Sequence, residues 1–216
     1  MDNFRISSAA VWYFTAALLA WGRDDRTAER QIPAVHVWVI DAVGLDETTL
    51  TAALNKARVI FGDAGVRVIW LRCPAEANLA AGSNPCQPDK ANNLFLRIVH
   101  QPANGFGSRH ALGQAFSTET GSQYATVFHD RVSAMAASRK PGTESLVLGH
   151  AIAHELGHLM LGTSAHASFG LMAAGWSAAE LERAPAGLLE FSSAEAARIR
   201  AEALRRFQQP SISQKP

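Results

Sequence analysis

His154, Glu155 and His158 form an H-E-x-x-H pattern, the set of residues in this chain whose types and spacing could do chemistry. Two histidines four residues apart on a helix lie one above the other on the same face. Both imidazoles can then reach one metal ion, and zinc is the usual occupant of such a pair. The carboxylate beside the first histidine projects near the open coordination position, where it can take a proton from a bound water. The expectation is a zinc-dependent hydrolase, Zn2+ being the cofactor and Glu155 the general base. Peptide bonds are the expected substrate.

The flanks favour a buried helix around this pattern. Thr143 and Glu144 open it, with an acidic residue in the first turn. Leu146, Val147, Ile152, Ala153, Leu156, Leu159 and Met160 give it a broad apolar face. Gly162 offers a left-handed stop. Two histidines and a glutamate in such surroundings are costly unless paired or metal-bound. The bland alternative is a pair of core histidines bonded to backbone.

A catalytic zinc usually takes three protein ligands. Downstream of His158 the chain has one further histidine, His166, and no aspartate follows Asp130. Glu180, Glu182 and Glu190 are the competing carboxylates. Glu180 has another use, because 177–180 reads Ser-Ala-Ala-Glu, a capping box. His166 is the preferred third ligand. His150 lies one turn before His154 but drifts off the metal face by about 40°, which suits a supporting or packing role. His36, His100, His110 and His129 show no ligand spacing.

The stretch from His154 to Met172 resembles the metzincin zinc peptidases, whose pattern is H-E-x-x-H-x-x-G-x-x-H followed by a Met-turn. Here the order is kept, with one extra residue before Gly162 and one more before His166, and then Gly170, Leu171 and Met172. One added helical residue rotates the exit by about 100°, so the path to His166 must differ. With the upstream Leu-Gly-His-Ala-Ile-Ala-His of 148–154, the variant spacing is also similar to that of uncharacterised bacterial metallopeptidase-like proteins. The resemblance covers roughly 33–207. It implies that Met172 forms an apolar floor under three imidazoles, in a turn that Gly170 and Gly175 suit. Trp176 then either walls a substrate pocket or is plain core. The tyrosine that some members carry after the Met-turn has no counterpart, since the only tyrosines are Tyr13 and Tyr124.

The elements that must position these residues follow from periodicity. Strand character over 34–41, helical spacing over 46–64 and a strand over 66–71 make a β-α-β unit with parallel strands. Strands follow over 93–100 and 125–129, with a short Gly-containing edge segment over 111–116. A last helix opens at the capping box of 192–195 and runs to about Phe207. The expected class is α/β (α+β): a mixed twisted sheet, the metal helix, and a small C-terminal helical subdomain. By analogy with metzincins, Leu112, Gly113, Gln114, Ala115 and Phe116 would bind peptide backbone by strand addition. A plain loop is the alternative.

At 216 residues, 48% hydrophobic and 18% charged, one globular domain over 33–207 is the natural count. A net charge of +1 leaves no electrostatic footprint for nucleic acid. The apolar run 6–21 after Arg5 is short for a membrane span and fits a signal peptide over 1–22. An uncleaved anchor, the one route to a membrane partner, and a domain helix are the other readings. Cys73 and Cys86, the only cysteines, sit in a Pro- and Gly-rich connector. In an exported chain they would form a disulfide. The expectation is a secreted or periplasmic monomer with a mobile tail over 208–216, and too few residues before the first strand for an inhibitory pro-segment. The rivals are a glutamate-ligated zinc peptidase and an exported, zinc-stabilised binding domain without catalysis.

Overall fold

The computed structural model describes residues 32–73, 86, 94–102, 110–119, 121–137, 139–140 and 142–208. The expected N-terminal signal or anchor and the tail beyond Gln208 lie outside the described residues. The described residues from Ile32 onward belong to one compact unit.

Valines at alternate positions make β1 (Ala34–Asp41) a strand with one buried face, formed by Val35, Val37 and Val39. The chain then enters α1 (Glu47–Asp63), whose first turn is capped by Asp46 accepting from the Thr49 amide at 2.9 Å. Its buried residues include Leu50, Leu54, Ala57 and Phe61, spaced by four, three and four, as an amphipathic helix requires. β2 (Arg67–Arg72) returns parallel to β1. β3 (Leu94–Val99) joins the other side of β1, also parallel. β5 (Gln123–Phe128) lies parallel to β3, and β4 (Gly113–Ser117) pairs antiparallel with β5. The strand order β2-β1-β3-β5-β4 leaves β4 at one edge.

Among the described residues the fold is therefore a mixed, mostly parallel five-stranded sheet with five α-helices, an α+β arrangement. The edge strand begins two residues later than the sequence indicates, so Leu112 precedes it. The Leu112 carbonyl still accepts from the Phe128 amide at 2.8 Å. The chain also contains α2 (His129–Ala136), which follows β5 directly: His129 opens a helix instead of ending the strand. Val132 and Ala136, four residues apart, are its buried face.

The central element is α3 (Thr143–Leu161), which packs against α1, α2, β4 and β5. Every residue from Val147 to Leu161 is buried. Beyond it come α4 (Ala178–Arg183), capped by the reciprocal Ser177–Glu180 box, and α5 (Ser193–Gln208), which packs on α3 and β1. Ser192 and Glu195 form the capping contacts of α5. This last helix includes Gln208, the first residue of the expected tail. Cys73 and Cys86 are joined in a disulfide with their Cα atoms 5.9 Å apart. No described helix is long and apolar enough to cross a membrane.

Candidate metal centre

His154 and Glu155 occupy the fourth turn of α3 and His158 the fifth, where burial leaves them at most 8% exposed. Buried polar groups at this cost need partners, and each histidine has one. The Nδ1 of His154 donates to the Leu171 carbonyl at 2.7 Å, and that of His158 to the Thr163 carbonyl at 2.8 Å. With Nδ1 protonated, the neutral ring carries its lone pair on Nε2. The two Nε2 atoms face each other at 3.0 Å. Two lone pairs at that distance repel unless a cation or a proton lies between them. Nitrogen ligands on one tetrahedral zinc stand roughly 3.3 Å apart, given bonds of about 2.0–2.1 Å.

His166 completes the group. One ring nitrogen from each of the three histidines lies within 4.8 Å of the others. The stretched spacing is absorbed by a tight helix exit. Gly162 adopts φ 64°, a left-handed C-cap conformation that glycine takes without a Cβ clash. The Thr163 amide bonds back to the His158 carbonyl, and the Ala165 amide bonds to Thr163 Oγ1 at 3.1 Å. At the far end Ala167 pairs with the turn at Met172, its amide donating to the Met172 carbonyl at 2.8 Å. The three-residue connector 163–165 is thus fixed at both ends, which brings the exposed His166 ring against His154 (5.4 Å between centroids) and His158 (4.9 Å).

Burial sets the protonation states. It lowers the pKa of His154 to about 4 and holds that of His158 below the ordinary imidazole value. Both rings are neutral at pH 7, as metal ligation requires. Burial raises the Glu155 carboxyl to about 8. These residues therefore fit a divalent metal: a ring nitrogen from each of three histidines converges on one point, and the neighbouring Glu155 carboxyl, which keeps its proton at pH 7 without a metal, would be drawn toward the carboxylate by a nearby cation.

The turn that carries Leu171 and Met172 packs against α3. Met172 is 1% exposed, and Gly157 gives it space, since a Cβ there would fall 2.8 Å from Met172 Sδ and from Phe191 Cε1. Gly113 has a role that its residue type alone did not disclose. A Cβ on Gly113 would meet Glu155 Cγ at 2.7 Å and Oε1 at 2.8 Å, and would also collide with the Thr126 carbonyl. The first residue of the edge strand thus makes room for the carboxylate on α3.

The histidines open onto a cleft of about 630 Å³, lined by 110–117 on one side and by 162–164 and 173–176 on the other. His110 lines it, although its position in the sequence carries no ligand signal. His129 and His100 are held elsewhere, paired with Glu144 at 2.9 Å and with Asp130 at 3.1 Å. His36 is exposed on β1. Of the competing carboxylates, Glu180 accepts from the Ser177 amide at 2.8 Å in its capping box, and neither Glu182 nor Glu190 joins the histidine group. Compared with known protein families and with curated proteins, the sequence matches none.

Proposed function

We propose that the protein is an exported zinc metallopeptidase of metzincin-like construction. The observation that carries this reading is the convergence of His154, His158 and His166 around one point, beside a buried Glu155. A bound zinc would act there as a Lewis acid and make a water nucleophilic near neutral pH. With that cation bound, Glu155 would be held as the carboxylate, take a proton from the water as it attacked a peptide carbonyl, and give it to the amine as the C–N bond broke. The carbonyls of Leu171 and Thr163 keep His154 and His158 in the tautomer that presents Nε2. Among the described residues β4 has no strand on its outer edge, which borders the cleft, and an extended peptide is the ligand that such an edge accepts by backbone hydrogen bonding.

Two further points support the reading. A site that only stabilised a fold would have no use for an acid–base group beside its ligands. Burying Glu155 there is a cost without a return unless the carboxyl does chemistry. The Cys73–Cys86 disulfide is a crosslink that persists in oxidising compartments, in keeping with export.

The test is Glu155→Gln, which keeps the side-chain shape and removes the base. Zinc content should be unchanged, and cleavage of a peptide pool should fall by about 10²–10⁴-fold. Unaltered turnover in this variant would sink the proposal.

A further inference from the structure

Trp176 stands five residues past Leu171 and is half-buried at the wall of the cleft. Its indole Nε1–H donates to the Leu171 carbonyl at 3.1 Å. That same oxygen accepts the Nδ1 proton of His154 at 2.7 Å. A carbonyl oxygen has two lone pairs, and here both are engaged. The indole is also gripped by its ring. It lies edge-on to His154, with centroids 5.8 Å apart and planes at 81°, and edge-on to His150, at 6.1 Å and 75°. His150 is itself fixed, fully buried and with Nδ1 bonded to the Leu146 carbonyl at 2.7 Å.

We propose that Trp176 is a positioning residue for the metal centre: it holds the Leu171 carbonyl where it orients the His154 ring. The Met-turn carbonyl needs such help because it lies in a tight turn. Its oxygen can swing by a small peptide rotation, and the His154 ring would follow. The indole N–H removes that freedom, and the edge-on contact with His150 steadies the indole ring. Partners that orient a metal-binding histidine in this way are worth about 10–100-fold in metal affinity when lost. A Trp176 that served only as a cleft wall would change substrate affinity and leave metal affinity alone.

The inference rests on His154 being a metal ligand, so the experiment reads zinc directly. Zinc affinity of the full chain is measured by competition with a chromophoric chelator, for wild type and Trp176→Phe, together with the melting temperature of each metal-free protein. The phenylalanine keeps an aromatic wall and deletes the N–H. The expected result is zinc binding about tenfold weaker, and a cobalt-substituted visible spectrum altered in intensity or position. A second variant places β-(3-benzothienyl)alanine at 176, exchanging the N–H for sulfur at nearly constant shape. It decides the matter if the phenylalanine variant does not fold. Zinc affinity within twofold of wild type and an unchanged cobalt spectrum would overturn the role of Trp176 while leaving the metal site intact. A wild-type protein that binds no zinc would overturn the metal reading itself, and this inference with it.

Discussion

Gly113 and Glu155 occupy one another's space: a Cβ on the glycine would lie 2.8 Å from Oε1 of the glutamate. The first residue of an edge strand and the buried carboxyl of α3 are thus in direct contact. In the proposed peptidase, this contact couples substrate backbone binding at β4 to the position of the general base. A peptide pairing with β4 would then meet Glu155 at a fixed height.

Gly113→Ala should therefore harm catalysis more than metal binding. The new methyl group must displace the Glu155 side chain and press on the Thr126 carbonyl. Overpacking of this kind costs about 1–3 kcal/mol, so a lower melting temperature accompanies the effect. Zinc content should stay at the wild-type level while turnover falls at least tenfold. Kinetics beside metal analysis would check this, and full activity in the alanine variant would show that Glu155 has room to spare.

The third ligand is tested by removing each candidate. His166 meets His154 and His158, whereas Glu180 is committed to capping α4 through Ser177. His166→Ala should lose most of its zinc on dialysis, and Glu180→Ala should retain about one zinc per chain. The reverse pattern would move the site to the carboxylate. In the wild type, chelator treatment should abolish cleavage, and added zinc should restore it.

The parts of the site that depend on spacing were legible in the sequence. His154 and His158 are one helical turn apart, and Gly162 marks the end of the helix that carries them. The Ser177–Glu180 and Ser192–Glu195 capping boxes and the Cys73–Cys86 pair were equally readable, because each is local or the sole pairing available. What the sequence concealed depends on contacts between distant segments. The clearance that Gly113 gives Glu155 spans 42 positions and is written in no periodicity. The bond from Trp176 to Leu171 looks, in sequence, like any core aromatic near a turn. The helix at His129 was hidden because β5 passes into it without a break, its N-cap Phe128 making no side-chain capping bond.

His150 gives the fold a pH dependence of known sign. Burial lowers its pKa to about 4, opposed by its bond to the Leu146 carbonyl, with the Lys56 charge lowering it further. Unfolded, the imidazole returns to about 6.5. The folded state thus binds fewer protons, so this contribution is complete above pH 6.5 and is lost as pH falls toward 4. His154 and His158 act in the same direction in the metal-free protein. His150→Leu isolates one share. The stability difference between wild type and variant should shift by about 3 kcal/mol between pH 7 and pH 4, measured by denaturant unfolding without zinc. A difference that does not vary with pH would place His150 in contact with water.

Gly157 and Met172 form the last pair that can be tested as a unit. A Cβ on Gly157 would fall 2.8 Å from Met172 Sδ and equally close to Phe191. Alanine in place of glycine within a helix gains about 1 kcal/mol of propensity, but the collision costs about 1–3 kcal/mol. Gly157→Ala alone should therefore be neutral to destabilising, and its zinc affinity should fall if displacing Met172 shifts the adjoining Leu171 carbonyl that holds His154. Met172→Ala alone removes a side chain that is 1% exposed, at about 2–5 kcal/mol. In the double variant the alanine methyl at 157 enters part of the space the methionine leaves. The combined loss should then be smaller than the sum of the single losses by at least about 0.5 kcal/mol, the level at which contacting residues depart from additivity. Strict additivity in urea unfolding would mean that Gly157 is not there to admit Met172.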